Sequence, residues 1–132
     1  MNNREARAAL REWGAATAQI AFKKQRLEQV AELAEAAMLL DKYDAAGGGR
    51  STHSALLREE IDLLGREAEH YLRQKRQMDE FINSLPLLHQ RLLGLRYIQR
   101  HNWTYIARCL NYSEASVRRF ESEILHRLQS WK

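Results

Sequence analysis

The sequence is poor in the residues that interrupt or cross-link a fold. It contains one proline, Pro86, and one cysteine, Cys109, in 132 residues. A single cysteine excludes a disulfide framework within the chain and agrees with a reducing compartment. The abundant Ala, Leu, Arg, Glu and Gln favour helix almost throughout, because these side chains lose little rotamer freedom in a helix. The sequence therefore predicts an all-α fold.

Long apolar runs are also missing. No run of about 20 apolar residues could span a bilayer. The N-terminal stretch MNNREARAAL lacks the apolar core of a signal peptide. We therefore expect a cytoplasmic protein with no membrane partner. The chain is also short for an enzyme built on a large α/β sheet, since domains commonly hold about 100–150 residues.

Motifs that carry catalysis or bind cofactors are missing as well. The histidines show no metal-ligand spacing with one another or with Cys109; they are His53, His70, His89, His101 and His126. The glycines at 47–49 precede no P-loop lysine and serine, and no serine lies in a nucleophile elbow. We expect no enzymatic activity, no cofactor and no metal.

Charge is unevenly distributed along the chain. The net charge of +4 comes from 21 basic and 17 acidic side chains. Residues 86–132 hold 8 basic and 3 acidic side chains, whereas residues 1–43 hold 7 and 6, and residues 44–85 hold 6 and 8. The basic surplus in the last third provides the attraction to phosphate that a DNA-binding segment needs. The first two thirds of the chain have no comparable basic surplus, and we expect them to serve a function other than DNA binding.

Two long amphipathic helices are predicted before Pro86. The first covers about residues 4–43, and the second follows a linker at residues 44–54, with Ser51, Thr52 or Ser54 as its N-cap. The first apolar stripe comprises Leu10, Trp13, Thr17, Ile20, Leu27, Val30, Leu33 or Ala34, Ala37 and Leu40. The second comprises Leu57, Ile61, Leu64, Ala68, Tyr71, Lys75, Met78, Ile82 and Leu85.

These helices predict an antiparallel hairpin over residues 1–85, closed within one chain or shared with a second subunit. Gly14, beside Trp13, is a candidate contact point between helices. Lys24 and Lys75 interrupt the stripes, and either their ammonium groups reach water or they set register. The stripes are longer than one hairpin can cover, so we expect a homodimer.

Residues 86–132 predict a trihelical module. Pro86 ends the second long helix, and a core helix follows with Leu87, Leu88, Leu92, Leu93, Leu95, Tyr97 and Ile98. Asn102 caps a short helix that ends where Asn111 takes a left-handed conformation. Ser113 then caps a longer helix whose apolar stripe is Val117, Phe120, Ile124, Leu128 and Trp131. A short helix, a tight turn and a longer helix form a helix-turn-helix, which places its second helix in a major groove.

Two resemblances agree with this interpretation. The run SEASVRRFESEILHRL resembles the recognition helix of region four of bacterial primary sigma factors, at Ser113, Val117, Arg118, Phe120, Glu121, Leu125 and Leu128. The preceding run resembles small phage transcription activators of the RinA and ArpU kind, at Leu95, Arg96, Tyr97, Trp103, Ile106 and Ala107. Together the resemblances cover roughly residues 85–131. Sigma factors usually place a basic residue where Glu114 stands, so base preference does not carry over.

The resemblance implies a DNA-binding transcription regulator encoded by a phage or prophage and located in the host cytoplasm. Double-stranded DNA is the expected partner, and RNA polymerase is a second candidate. The predicted DNA-contacting residues are Asn102, Thr104, Tyr105, Arg108, Ser113, Glu114, Ala115, Ser116, Arg118, Arg119 and Ser122. Two alternatives stay open: a DNA-packaging adaptor resembling a small terminase subunit, and a modulator that binds RNA polymerase or sigma factor without reading DNA.

Overall fold

The computed structural model describes residues 1–46 and 53–131, with side chains described for 1–42 and 54–131. All regular structure in these ranges is helical, which confirms the all-α prediction. The helices are α1 (Asn3–Ala46), α2 (His53–Asn83), α3 (Leu87–Leu93), α4 (Trp103–Leu110) and α5 (Glu114–Gln129), and a π-helical segment, Gly94–Ile98, continues α3. Over the described ranges, no helix combines the length and apolarity needed to cross a membrane.

The predicted linker is shorter than residues 44–54. Helix α1 continues past Tyr43 to Ala46, and α2 begins at His53. The glycines at 47–49 and the candidate caps Ser51 and Thr52 lie outside the described residues. Ser54, the third candidate cap, lies inside α2, where its amide donates to the Asp41 carboxylate at 3.1 Å and its hydroxyl contacts the same oxygen.

The chain forms two compact units. Unit 1 comprises Met1–Ala18 and Arg73–Lys132, and unit 2 comprises Gln19–Leu72. Helices α1 and α2 therefore contribute residues to both units. The sequence placed the division after Leu85, because Pro86 interrupts the helix there. The division between residues 1–85 and 86–132 stays a prediction about function, but it does not coincide with the boundaries of the compact units.

Unit 1 is built on one core that draws on all five helices. Its fully buried side chains include Leu10 of α1, Phe81 of α2, Leu92 of α3, Ile106 of α4 and Ile124 of α5. The predicted trihelical core therefore also includes the start of α1 and the end of α2.

Two residues predicted to be in the core of the last third are exposed. Leu87, the first residue of α3, is 77% exposed, because the helical period places it on the side of α3 away from the buried Leu92 and Leu93. Trp131 is 44% exposed and contacts the ring of Phe81 edge-on at 5.5 Å, because it follows the end of α5.

Gly14 marks the closest approach between α1 and the π-helical segment. A Cβ atom at this position would lie 2.1 Å from the carbonyl oxygen of Tyr97, which is backbone and has no room to move. The absence of a side chain is therefore required for α1 to pack here. This confirms Gly14 as a contact point between helices.

Within unit 1, polar contacts fix the register between α1 and α2. The indole nitrogen of Trp13 donates to Asp79 at 2.9 Å, and the Lys75 ammonium lies 3.2 Å from the same carboxylate. Lys75 also donates to the hydroxyl of Thr17 at 3.2 Å. The Lys75 ammonium group therefore contacts protein groups on both α1 and α2. This favours the interpretation that Lys75 sets the register of the two helices over the interpretation that its ammonium group reaches water. Trp13 pairs with Asp79, and Thr17, which comes later on α1, pairs with Lys75, which comes earlier on α2. The two helices therefore run antiparallel in unit 1.

Unit 2 is also an antiparallel pair, closed within one chain, but with little core. Its buried apolar side chains among the described residues are Val30, Ala37 and Leu64. An ion pair joins Lys23 to Glu67, and Arg26 lies 2.9 Å from Glu60.

One position of the predicted α1 stripe in unit 2 is wrong, because Leu40 is 56% exposed. Of the two alternatives Leu33 and Ala34, Ala34 is the half-buried one and Leu33 is 52% exposed. Lys24 is exposed, which agrees with an ammonium group that reaches water. The inward positions continue at 30, 34, 37 and 41, in keeping with 3.6 residues per turn, so residues 33 and 40 fall beside the buried face.

Candidate nucleic-acid interface

Helix α4 is held at both ends as the sequence predicts. The side chain of Asn102 accepts from the amide of Tyr105 at 2.8 Å. At the other end Asn111 is left-handed, with φ 62° and ψ 43°, and the amide of Tyr112 donates to the carbonyl of Ala107 at 3.0 Å. A left-handed residue with this six-residue hydrogen bond is a Schellman ending, which stops a helix sharply. The chain therefore turns at residues 111–113.

Helix α5 begins at the cap that the sequence predicts. The hydroxyl of Ser113 accepts from the amide of Ser116 at 3.1 Å, and it also bonds to the Ser116 hydroxyl at 2.9 Å. The inward face of α5 carries Val117, Ile124, Leu125 and Leu128, all buried. Because this face packs on the core, the opposite face of the first turns is left to solvent. Helices α4 and α5 thus have a helix-turn-helix arrangement.

The predicted contact residues on α4, α5 and their caps are mostly exposed to solvent. The exposed ones are Asn102, Thr104, Tyr105, Arg108, Ser113, Glu114, Ala115, Arg118, Arg119 and Ser122, and Ser116 is half-buried. The side chains of Asn102 and Ser113 are already engaged as helix caps. These two residues therefore position the helices rather than offer free side chains.

Some of these residues are brought together and others stand apart. Arg118 lies 3.9 Å from Glu114 one turn earlier, and the hydroxyl of Ser122 donates to the carbonyl of Arg118 at 3.2 Å. Tyr105 contacts Cys109, and a hydrogen bond between them raises the pKa of Tyr105. Four predicted residues form no side-chain hydrogen bond, ion pair or ring contact with other predicted residues in the described part of the chain: Thr104, Arg108, Ala115 and Arg119.

A basic cleft of about 660 Å³ adjoins α5 within unit 1. We call it the arginine cleft. Its lining residues are Arg7, Arg11, Arg96, Tyr97, Arg100, Trp103, Arg118, Glu121 and Ser122. Arg118 and Ser122 were predicted as contact residues, whereas Arg7, Arg11, Arg96 and Arg100 were missed. Their only sequence signals were the spacing of Arg7 and Arg11 by one helical turn and the LRY resemblance at Arg96.

Glu121 forms the acidic wall of the cleft and is 5% exposed. Its Oε1 accepts a hydrogen bond from Nε of Arg7 at 3.1 Å and lies 3.1 Å from Nη2 of Arg7 as an ion pair, and its Oε2 accepts from the Tyr97 hydroxyl at 3.3 Å. Burial, and then the negative charge of Glu121, raise the pKa of Tyr97 to about 12. A buried carboxylate needs such partners, because an unpaired charge is costly inside a protein. The contact ties α1 to α5 across the cleft.

The π-helical segment positions the arginines on another side of the cleft. The amide of Gln99 donates to the carbonyl of Gly94 at 3.0 Å, a wider turn than in an α-helix, and Arg100 follows with φ 59°. Arg96 donates from Nη1 to the carbonyl of His101 at 3.0 Å, and its guanidinium lies 4.4 Å from the centre of the Trp103 ring. These two contacts restrict the rotamers of Arg96.

Other kinds of site find little support. Within residues 1–42 and 54–131, no group of three or more His, Cys, Asp or Glu side chains could hold a metal ion. Cys109 is a free, exposed thiol on α4.

The fold and this site define an all-α protein whose helix-turn-helix arrangement adjoins a basic cleft. Over residues 10–130 the chain matches the family described as Protein of unknown function (DUF722), and it belongs to that family. No curated protein matches the chain, and no solved structure matches it. The description of the family assigns no activity.

Proposed function

We propose that the protein is a sequence-specific DNA-binding transcription regulator whose helix α5 enters a major groove. The observation that carries the proposal is the solvent face of the first turns of α5. This face presents Arg118 and Arg119 beside the small residues Ala115 and Ser116, and it takes no part in the core. Small residues allow close approach to the groove, and arginine can bond to guanine edges or to phosphate.

The capped start of α5 adds to this capacity. Ser113 holds the first turn in place, and the amides of a helix N-terminus attract phosphate oxygens. Glu114 lies 3.9 Å from Arg118 and can orient its guanidinium. Glu114 can also accept from a cytosine amino group or repel phosphates, which would sharpen the register on DNA.

A homodimer formed through the long helices is part of this proposal. Unit 2 exposes large apolar side chains that its own small core does not cover: Phe22, Leu33, Met38, Leu39, Leu40, Leu56, Leu63 and Leu72. A second copy could cover them, and two-fold symmetric regulators bind two half-sites. The resemblance to activators of the RinA and ArpU kind favours a phage or prophage origin, with RNA polymerase as a further partner.

Selection of bound sequences from a random duplex library tests the proposal. We expect an enriched motif with the wild-type protein. On the selected site, Arg118→Ala should cost about 1–3 kcal/mol and relax preference at one base pair if Arg118 contacts a guanine. If Arg118 touches phosphate alone, affinity should fall evenly across sequences and the salt slope should fall by about one.

Arg127→Ala is the matched control, because Arg127 is an exposed arginine in the last turn of the same helix and does not line the arginine cleft. It should bind DNA as the wild type does. Folded Arg118→Ala, Arg119→Ala and double variants that bind DNA as well as wild type would exclude α5 as the DNA reader. That result would favour the alternative of a protein that binds RNA polymerase or sigma factor. Rings of many subunits would favour a DNA-packaging adaptor instead.

A further inference from the structure

We infer that the arginine cleft holds a phosphate of the DNA backbone, so that α1 and the π-helical segment extend the interface beyond α4 and α5. This inference rests on the proposed function. It assigns a task to Arg11, Arg96 and Arg100, which lie outside the helix-turn-helix.

The positive charges that line the cleft outnumber the acidic side chains that could balance them. Five arginines line it, and Glu121 is its single acidic side chain. Glu121 is already bonded to Arg7 and to the Tyr97 hydroxyl. In the part of the chain that the structure describes, Arg11 and Arg100 form no ion pair. Like charges gathered around one cavity repel one another, and a bound oxyanion would remove that repulsion.

The position of the cleft matches the flank of a groove. Arg118 and Ser122 line the cleft and also belong to the solvent face of α5. A helix in the major groove has a phosphate strand on each side, and most contacts between proteins and DNA go to this backbone. The guanidinium fork matches phosphate oxygens in geometry, and Arg96 is already oriented by Trp103 and the His101 carbonyl.

The backbone at Arg100 supplies an independent observation. Arg100 has φ 59° at the end of the π-helical segment, and the amide of His101 after it donates to the carbonyl of Leu95 at 3.0 Å. A left-handed residue at a helix end is usually glycine or asparagine, because a side chain with a Cβ is disfavoured there. At the corresponding ending of α4 the residue is Asn111. An arginine in the strained position is explained if its side chain is needed in the cleft.

The source of the phosphate is a nucleic-acid backbone rather than a free nucleotide. Proteins that hold a nucleic-acid base by stacking present a free aromatic face to it. Trp103, a half-buried aromatic residue of the cleft, has the Arg96 guanidinium 4.4 Å and the Arg118 guanidinium 5.8 Å from its ring centre. Tyr97 is buried, with its hydroxyl on Glu121. The cleft therefore provides charge without a platform for stacking.

Binding of a labelled random-sequence duplex, measured against salt concentration, tests the inference. The variants are Arg11→Gln, Arg100→Gln and their double mutant. Neutralising one phosphate contributes about 0.9 to the salt slope, so each variant should lose up to about tenfold in affinity at about 0.1 M salt, and the double mutant's slope should fall by about one, because both arginines hold the same phosphate. Arg76→Gln is the control, because Arg76 is an exposed arginine of unit 1 that does not line the cleft.

Arg100→Gly separates binding from folding. Glycine relieves the left-handed strain, so the melting temperature should stay the same or rise while affinity for the duplex falls. If Arg100 had a purely structural role, the melting temperature and the affinity for the duplex would change in the same direction. That result would overturn the inference.

The remaining outcomes separate the inference from the function on which it rests. If the Arg11 and Arg100 variants keep wild-type affinity and slope while Arg118→Ala loses affinity, the cleft does not hold the backbone and α5 remains the reader. If the wild-type protein does not bind the duplex, both proposals fall. Binding of ATP that is lost in the double mutant, with duplex binding unchanged, would assign the cleft to a free nucleotide and overturn the backbone assignment.

Discussion

Units 1 and 2 use the same two long helices with opposite results. In unit 1 the start of α1 and the end of α2 meet α3, α4 and α5, and 16 side chains are buried in one core. In unit 2 the later part of α1 and the first part of α2 bury Val30, Ala37 and Leu64 and expose larger apolar residues such as Phe22 and Leu39. Amphipathic periodicity alone therefore does not produce burial, because a helix face also needs enough partners to cover it.

The contacts that hold the units differ accordingly. Unit 1 has a buried carboxylate, Glu121, which accepts hydrogen bonds from Arg7 of α1 and Tyr97 of the π-helical segment and forms an ion pair with Arg7. Unit 2 has the pair between Arg26 and Glu60, whose side chains are 41% and 37% exposed. Exposed ion pairs contribute about 0–1 kcal/mol each, whereas a removed core leucine costs about 2–5 kcal/mol. Unit 1 should therefore be the more stable part.

The largest effect is expected from Gly14→Ala. Its Cβ would lie 2.1 Å from the Tyr97 carbonyl oxygen, so α1 must move away from the core. We expect a loss of about 3 kcal/mol or more in the free energy of unfolding, measured by urea denaturation. Gly65→Ala is the control in unit 2, where a Cβ meets nothing within 4 Å; it should gain about 0.5–1 kcal/mol. Equal effects of the two changes would contradict the close approach.

A paired core truncation compares the units directly. Leu92 is fully buried in unit 1, and Leu64 is 9% exposed in unit 2. We expect Leu92→Ala to cost about 3–5 kcal/mol and Leu64→Ala about 2–3 kcal/mol. A loss below about 0.5 kcal/mol for Leu64→Ala would show that the α2 stripe is not packed. If a second copy covers unit 2, the cost of Leu64→Ala should depend on protein concentration, which sedimentation can follow.

Alkaline pH should weaken unit 1 through Tyr97. The folded-state pKa is raised from 10.0 to about 12, so folding retains a proton that the unfolded chain loses above pH 10. The stabilisation is present below pH 10 and is lost as the pH rises towards about 12. The melting temperature should fall across that window, and Tyr97→Phe should reduce the fall. An unchanged pH profile in Tyr97→Phe would contradict this origin.

The smallest effect is expected at the surface of unit 2. Glu60→Gln removes the carboxylate that pairs with Arg26 at 2.9 Å. Because both side chains are exposed, the cost should be about 0–1 kcal/mol and should shrink further at high salt. Glu59→Gln, an exposed neighbour with no ion pair in the described part of the chain, is the control. A cost above about 2 kcal/mol would mean that unit 2 depends on this pair more than its exposure suggests.

Several features followed from the sequence alone, and all of them are local. The caps at Asn102 and Ser113, the left-handed Asn111 and the break at Pro86 each depend on residues within one helical turn. The helical class and the inward face of α2 follow from composition and 3.6-residue periodicity. The exposed face of α5 was predicted in the same way, because the residues outside its apolar stripe are left to face solvent.

Tertiary structure alone decided the features that join distant residues. Arg7 meets Glu121 across 114 positions of sequence, Trp13 meets Asp79 across 66, and Gly14 meets Tyr97. No periodic pattern specifies such partners, because a helical stripe indicates which side of a helix faces inward without indicating what it faces. For the same reason the sequence could indicate a basic last third, but the arginine cleft exists because the start of α1 packs beside α5 and brings Arg7 and Arg11 to arginines that lie far along the chain.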